Sequence, residues 1–213
     1  MMSGIKLVAL DIEGTLTQEG IWLRLHHLVG ISDQEGLQWF TKYYNKRWTF
    51  AQWADVVIKR YKNSGILRRD IEAVLRDVHF LPQAKVTVAM LRQHYSLALL
   101  SSTPNIFVGE VAKQLSIETY YANYTFVYDR TDKIIDIKYR AEDAIVKQQF
   151  LKDFCKKKRL RPEEIVYIGH SANDLEAFLY TKRGILIGKG NEALVKACWR
   201  QVQQLSDVVP ILV

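Results

Sequence analysis

The chain contains three short apolar runs, and polar residues stand at or directly after the end of each run. They are IKLVAL at residues 5–10, SLALLSS at 96–102 and EIVYIGH at 164–170. Uninterrupted runs of this length are typical of strands that are buried on both faces in a parallel sheet. Helical patterns occur at 84–94, 105–115 and 141–158. The alternation predicts an α/β fold with a doubly wound, Rossmann-like parallel sheet flanked by helices.

Residues 19–77 interrupt this alternation because they contain no convincing strand. Helical patterns lie at 37–48, 50–61 and 68–78, with Gly30, Gly36 and Gly65 as breaks. We therefore expect a helical cap at 18–79, inserted into a core made of 1–17 and 80–213. The cap holds four of the five tryptophans, Trp22, Trp39, Trp48 and Trp53. Aromatic side chains at this spacing are more often the core of a helical unit than a ligand site.

A second interruption lies at 124–139. Two β-rich runs flank the polar segment from Asp129 to Lys133. This pattern predicts a small β-hairpin.

Polar side chains stand where the predicted strands end. Asp11, Ser101 and His170 close the three apolar runs. In open α/β sheets, ligands bind at the carboxyl ends of the strands. Asp11 and Glu13 are two residues apart, so in an extended chain both carboxylates face the same side. These positions therefore predict a site at that edge of the sheet.

Composition narrows the class of protein. Of 213 residues, 48% are hydrophobic, and no apolar stretch approaches the length of a membrane span. The two cysteines, Cys155 and Cys198, match no metal-ligand or disulfide pattern, so a cytoplasmic protein without a membrane partner is expected. The formal charge is +7, and the densest basic run, at 156–161, follows a helical pattern. A nucleic-acid partner is not expected, because no recognition motif accompanies the charge, whereas small phosphorylated anions would be attracted.

Four motifs in order resemble the haloacid dehalogenase-like superfamily. LVALDIEGTLT is similar to its first motif, Asp-x-Asp-x-Thr, with glutamate at the second acid as in the enolase-phosphatase branch. Ser101 matches the second motif. YIGHSANDLEAF is similar to the fourth motif of phosphoserine phosphatases, Gly-Asp-Gly-x-Asn-Asp, and Lys147 precedes His170 by 23 residues, the spacing of that branch. The resemblance spans nearly the whole chain, including the cap and the hairpin.

The resemblance implies a phosphomonoesterase. Asp11 would attack phosphorus to form an aspartyl phosphate, and Glu13 would protonate the leaving oxygen and then activate water. Ser101 and Lys147 would stabilise the phosphoryl oxygens in the transition state. The implied phosphate-binding residues are Thr15, which would support the loop, Ser101, Ser102, Lys147 and Asn173. The implied metal ligands for Mg²⁺ lie at Asp11, Glu13 through its backbone carbonyl, His170 and Asp174.

His170 stands where the family places a carboxylate that binds Mg²⁺. Mg²⁺ prefers oxygen, so imidazole weakens its binding. Three interpretations stay open. Mg²⁺ is retained by Asp11, the Glu13 carbonyl and waters, with Asp174 and Asn173 supporting indirectly. Alternatively, Mn²⁺ or Co²⁺ replaces it, or the protein is catalytically impaired and acts as a binding or regulatory module.

The substrate is expected to be a small phosphorylated molecule. Phosphoserine phosphatases use an acid shortly after the first motif, and Glu19 or Gly20 falls near that place. They also use a cap arginine seven residues after a phenylalanine. Here Val57 is seven residues after Phe50, and Arg60 lies one helical turn further on. Phosphoserine is therefore disfavoured as the substrate.

Overall fold

A seven-stranded sheet forms the centre of the part of the chain that the computed structural model describes, residues 4–18 and 20–213. The strands are β1 (Leu7–Leu10), β2 (Ser96–Pro104), β3 (Thr119–Tyr128), β4 (Ile134–Tyr139), β5 (Ile165–Gly169), β6 (Gly184–Ile187) and β7 (Arg200–Val202). Their order is β4-β3-β2-β1-β5-β6-β7, and every neighbouring pair is parallel except β3 and β4. The predicted α/β fold with a parallel sheet is confirmed.

Ten α-helices accompany the sheet within the described residues. They are α1 (Ile21–Leu28), α2 (Asp33–Tyr44), α3 (Phe50–Ser64), α4 (Arg68–Arg76), α5 (Ala84–Arg92), α6 (Asn105–Leu115), α7 (Asp143–Lys158), α8 (Leu175–Thr181), α9 (Glu192–Ala197) and α10 (Val209–Leu212). Within the same residues, no helix is both long enough and apolar enough to cross a membrane.

The central strands are apolar on both faces because helices cover both. In β1, Val8 and Leu10 belong to one hydrophobic cluster, while Leu7 and Ala9 belong to another on the opposite face. The first cluster includes side chains of α5 and α6, and the second includes side chains of α7 and α8. This two-residue alternation is what a strand between two helical layers requires.

Helices α1 to α4 pack on the sheet's α5–α6 side. Their buried residues Leu25, Tyr61 and Ile71 belong to the same cluster as Val8 and Leu10. The cap helices therefore share a continuous core with the sheet, and the domain division at 18–79 stays a prediction.

The glycines expected to separate the cap helices do so only in part. Gly30 lies between α1 and α2, and Gly65 ends α3 in a left-handed conformation with φ of 69°. Gly36, however, lies inside α2, so its prediction as a helix break is wrong. A Cβ at Gly36 would lie 3.7 Å from His26 and 3.8 Å from Ile31, which is ordinary van der Waals contact, so the packing of α2 does not require glycine here.

The predicted hairpin is present, but it is an edge of the main sheet. Its first strand, β3, pairs in parallel with β2, and β4 returns antiparallel to β3. This pairing carries Asn123 and Tyr124 to the carboxyl edge of β2, where they contact the start of α7.

Candidate active site

A cavity of about 250 Å³ opens where the neighbouring strands β2, β1 and β5 end. The Asp11 backbone N–H donates to the Ile168 carbonyl at 2.9 Å, which continues the strand pairing to the edge of the sheet. The cavity is lined by Asp11, Glu13, Gly20, Trp22, Ser101, Ser102, Thr103, Asp143, His170, Ser171 and Asn173. Six of these eleven residues were predicted as site residues.

Lys147 connects the predicted nucleophile to the loop after β5. The fully buried Nζ donates to Asp11 Oδ1 at 2.7 Å, Asp174 Oδ1 at 2.6 Å and Asn173 Oδ1 at 2.8 Å. Burial by itself lowers the pKa of Lys147, but Asp11 and Asp174 outweigh it and raise that pKa. Burial raises the pKa of Asp11, but Lys147 and His170 outweigh it and lower that pKa. Asp11 is therefore held as a carboxylate beside an ammonium group.

Asp174 is fully buried, and donors surround both of its oxygens. Oδ1 accepts hydrogen bonds from Lys147 Nζ and from Tyr167 Oη at 2.7 Å. Oδ2 accepts from the backbone N–H groups of His170 and Ser171, both at 2.9 Å. A Cβ at Gly169 would lie less than 3.0 Å from the Asp174 carboxyl carbon, so only glycine allows this approach. Asp174 thus fixes the loop that carries His170.

His170 faces Asp11 across the floor of the cavity. Its Nδ1 lies 3.3 Å from Asp11 Oδ2. The ring packs on Gly14, where a Cβ would lie well under 3.0 Å from three ring atoms. Gly14 also has φ of +70°, the left-handed region that favours glycine. Gly14 therefore leaves the space that the imidazole occupies, which a side chain at this position would fill.

Asp11, His170 and Asp174 form a cluster that can hold a metal ion. Their ligand atoms all lie within 4.8 Å of one another. Bonds of about 2.1 Å place neighbouring ligands of one ion roughly 3.0 to 3.4 Å apart, and the 3.3 Å between Asp11 Oδ2 and His170 Nδ1 fits that spacing. The donor set of one carboxylate oxygen and one imidazole nitrogen suits a divalent ion that accepts both.

Glu13 lies at the cavity wall and binds the start of α1. Its Oε1 accepts from the backbone N–H groups of Gly20 and Ile21, both at 2.8 Å. A carboxylate at a helix N-terminus is favoured by the orphan amides and the helix dipole. Glu13 and Asp11 both line the cavity, as their spacing predicts.

The residues predicted to bind phosphate are only partly brought together. Ser101, Ser102 and Asn173 line the cavity. Ser101 Oγ pairs with Thr103 Oγ1 at 2.9 Å, whereas the buried Ser102 Oγ has no hydrogen-bond partner within residues 4–18 and 20–213. Thr15 is fully buried beneath the loop and does not line the cavity.

Five cavity residues lie outside the predicted site residues, and they are Gly20, Trp22, Thr103, Asp143 and Ser171. Two of them, Trp22 and Asp143, make contacts that shape the site. Trp22 was assigned to cap packing; its Nε1 donates to the Ser102 carbonyl at 3.3 Å and its ring packs edge-on against Tyr124. Asp143 begins α7 and accepts from Asn123 Nδ2 at 2.7 Å and Tyr124 Oη at 3.0 Å. Burial raises the pKa of Asp143 to about 6, against the opposing effect of these hydrogen bonds. The available signal was its spacing, since Asp143 precedes Lys147 by one helical turn.

Of the positions weighed for phosphoserine recognition, Gly20 lines the cavity, whereas Val57 and Arg60 do not. Val57 is buried, and it lines a small apolar pocket with Trp53. Arg60 donates to the Gly30 carbonyl at 2.9 Å and pairs with Glu35 at 3.3 Å. Glu19 lies outside the described residues.

Comparison with known proteins identifies the class. The profile of haloacid dehalogenase-like hydrolases matches residues 5–180. The chain therefore belongs to the haloacid dehalogenase-like hydrolase family. No curated protein sequence matches the chain.

Solved structures agree in fold. A phosphoserine phosphatase in its apo form has a TM-score of 0.79 at 16% identity, covering 98% of this chain and 100% of its own. A phosphoserine phosphatase from T. onnurineus has a TM-score of 0.71 at 23% identity, covering 100% and 97%. A family hydrolase from Salmonella enterica serovar Typhi has a TM-score of 0.76 at 16% identity, covering 97% and 70%. At these identities the likeness shows the fold alone.

Proposed function

We propose that the protein is a metal-dependent phosphomonoesterase that acts on a small phosphorylated molecule through an aspartyl-phosphate intermediate. The observation that carries this proposal is the ionised Asp11 carboxylate on the cavity floor, between the Lys147 ammonium and the His170 ring. A buried carboxylate is a useful nucleophile only if its anionic form is maintained, and Lys147 maintains it.

The reaction takes two steps on this chain. In the first, an Asp11 oxygen forms a bond to phosphorus while the bond from phosphorus to the alcohol oxygen breaks, and protonated Glu13 gives its proton to that oxygen. In the second, Glu13 takes a proton from water as the water oxygen bonds to phosphorus, and the Asp11 carboxylate is released with inorganic phosphate. Two α1 amides hold Glu13 at the cavity wall by hydrogen bonds that favour its anionic form, the form that takes the proton from water in the second step.

The phosphoryl oxygens are assigned to residues at the end of β2 and in the loop after β5. Ser101, Ser102 and Asn173 line the cavity, and Lys147 lies in hydrogen-bond contact with both Asp11 and Asn173. Donors fixed before the reaction stabilise the charge that grows on the transferring group. Thr15 is assigned to supporting the loop beneath them, consistent with its burial.

We assign the metal to Asp11 and His170, with the Glu13 backbone carbonyl. A bound divalent ion would supply positive charge to the phosphoryl group. Asp174 as a ligand stays a prediction, because it would have to give up one of its five hydrogen bonds. The imidazole favours Mn²⁺ or Co²⁺ over Mg²⁺.

Phosphoserine is proposed not to be the preferred substrate. Among the described residues, the cavity is lined by no lysine or arginine that could bind the carboxylate of phosphoserine. Arg60 is occupied by Gly30 and Glu35, and Val57 carries no charge. We also propose that residues 18–79 act as the cap, since Trp22 of α1 already lines the cavity. A cytoplasmic location stays a prediction.

The test is turnover of p-nitrophenyl phosphate with Mg²⁺, Mn²⁺, Co²⁺ and Zn²⁺ supplied separately. We expect turnover with at least Mn²⁺ or Co²⁺, and its loss in Asp11→Asn. The matched control is Asp153→Asn, since Asp153 lies on the exposed side of α7 and pairs with Arg140. No turnover with any metal would contradict the proposal and favour a binding or regulatory module.

A further inference from the structure

A second cavity, of about 330 Å³, adjoins the first. The two cavities share Asp143, Ser171 and Asn173 in their walls. The second cavity therefore offers room for the alcohol portion of an ester whose phosphoryl group lies beside Asp11.

Aromatic rings of α2 and α3 form one wall of the second cavity. They are Phe40, Tyr43, Tyr44 and Trp53, and we call them the aromatic wall. Tyr43 stacks on Trp53 with ring centroids 5.9 Å apart, and Phe40 stacks on Tyr44 at 6.1 Å. Phe40 is 48% exposed and Tyr44 is 70% exposed. These two side chains therefore offer ring surface to a ligand in the second cavity.

Negative charge faces the aromatic wall. Asn123 and Tyr124 both donate to Oδ1 of Asp143, which leaves Oδ2 for a ligand. Glu142, next in the chain, accepts from Tyr43 Oη at 2.6 Å. Within the described residues, no lysine, arginine or histidine forms an ion pair with either acid, although the chain has 30 lysines and arginines.

Neither cavity is lined by a lysine or an arginine in the part of the chain that the structure describes. A leaving group that carries a carboxylate would therefore meet Asp143 without a compensating cation. A buried carboxylate without a cationic partner is unfavourable, and a cationic group of the ligand would stabilise it. Aromatic faces attract the same kind of group, above all alkylated ammonium.

We propose that the substrate is a phosphate ester of an ammonium-bearing alcohol, whose cationic group binds between the aromatic wall and the Asp143 carboxylate. This specificity rests on the proposed phosphomonoesterase function. Asp143 is then a specificity-determining residue, and Asp11 and Glu13 carry the chemistry.

The test compares kcat/KM for phosphocholine with that for 3,3-dimethylbutyl phosphate, its uncharged carbon isostere. The two esters share shape and leaving oxygen, so their ratio isolates the charge. We expect a ratio of at least about ten in favour of phosphocholine, which corresponds to ~1.4 kcal/mol. Phosphoethanolamine in a third arm distinguishes a primary from a quaternary ammonium preference, and phosphoserine in a fourth is expected to be a poor substrate.

Two variants locate the effect. Asp143→Asn should lower the ratio toward one, while Asp153→Asn, the same charge change on the exposed side of α7, should leave it unchanged. Because Asp143→Asn can disturb the start of α7, Tyr44→Leu provides a second variant at an exposed position. Its control is Tyr120→Leu, an exposed tyrosine of β3 that lines neither cavity. Tyr44→Leu should lower the ratio and Tyr120→Leu should not.

Other outcomes separate the two proposals. Turnover of p-nitrophenyl phosphate with a phosphocholine ratio near one would overturn the ammonium assignment and leave the phosphomonoesterase standing. A preference for phosphocholine that survives both Asp143→Asn and Tyr44→Leu would also overturn it. No turnover of any ester with any metal would overturn both.

Discussion

Replacing Asp174 with asparagine removes a buried negative charge that accepts hydrogen bonds from the loop after β5. The side chain is fully buried, and five donors from Lys147, Tyr167, His170 and Ser171 surround its two oxygens. Asparagine keeps the shape but offers only one acceptor oxygen, since the other position becomes an NH₂ donor. One pair of donors must therefore face another donor.

Both orientations of the new amide are costly. If its NH₂ group faces Lys147, a buried ammonium loses one of its two carboxylate partners, and breaking a buried ion pair costs about 3–5 kcal/mol. If it faces the backbone N–H groups of His170 and Ser171, each buried donor left without an acceptor costs roughly 1–3 kcal/mol. We therefore expect Asp174→Asn to lower the free energy of unfolding by about 3–5 kcal/mol. Tyr167→Phe removes one donor and leaves the carboxylate in place, so it should cost only about 1 kcal/mol.

The assay is urea unfolding of the parent and both variants, monitored by circular dichroism. The expected result is a large downward shift in midpoint for Asp174→Asn, a small one for Tyr167→Phe and the same dependence on urea for all three. Equal effects of the two substitutions, or an increase in stability for Asp174→Asn, would refute the argument that Asp174 fixes this loop.

Three further predictions use other parts of the site and core. His170→Asp should tighten Mg²⁺ binding about tenfold in calorimetry, because it restores an oxygen ligand and a negative charge; unchanged affinity would remove the histidine from the metal. Gly14→Ala should be more destabilising in urea than Gly30→Ala, since both glycines have positive φ but only Gly14 contacts the His170 ring; equal losses would contradict that contact. Hydrogen bonding, above all from the Arg161 backbone N–H, lowers the pKa of Glu164 from 4.5 to about 2. The melting temperature of Glu164→Gln should therefore lie below that of the parent by the full amount above pH 4.5, and the difference should disappear toward pH 2. A difference independent of pH would contradict this.

Much of the site could be predicted because it depends on local pattern. Asp11 and His170 end apolar runs that are typical of strands buried on both faces, and parallel strands bring such ends to one edge. Lys147 is identified from the resemblance, because its distance of 23 residues from His170 is the spacing of the phosphoserine phosphatase branch. These positions can be identified from nearby sequence and do not depend on how the cap helices pack.

Other features depend on pairings that a single sequence does not specify. Asp143 reaches the cavity wall because β3 pairs with β2, which brings Asn123 and Tyr124 against the start of α7. Trp22 has the same aromatic pattern whether it packs in a core or lines a cavity. Its role follows from where α1 lies on the sheet, which is tertiary information.

Short elements could not be predicted from the sequence, for a different reason. Strand β7 has three residues, Arg200–Val202, and only Val202 is buried. Its polar residues give no strand pattern, and it is stabilised by pairing with β6. Residue type alone predicts a helix break at Gly36, but α2 continues through it, because the rest of the helix supplies enough stabilising contacts.

The central claim is that Asp11 becomes phosphorylated during turnover. The direct measurement is acid quenching of the protein during steady-state hydrolysis of p-nitrophenyl phosphate with the preferred metal, followed by mass spectrometry of the peptide that contains Asp11. We predict one phosphoryl group on Asp11 in the parent, released by hydroxylamine as acyl phosphates are, and neither phosphorylation nor turnover in Asp11→Asn. Turnover that persists in Asp11→Asn, or a phosphoryl group found on another residue, would contradict the account.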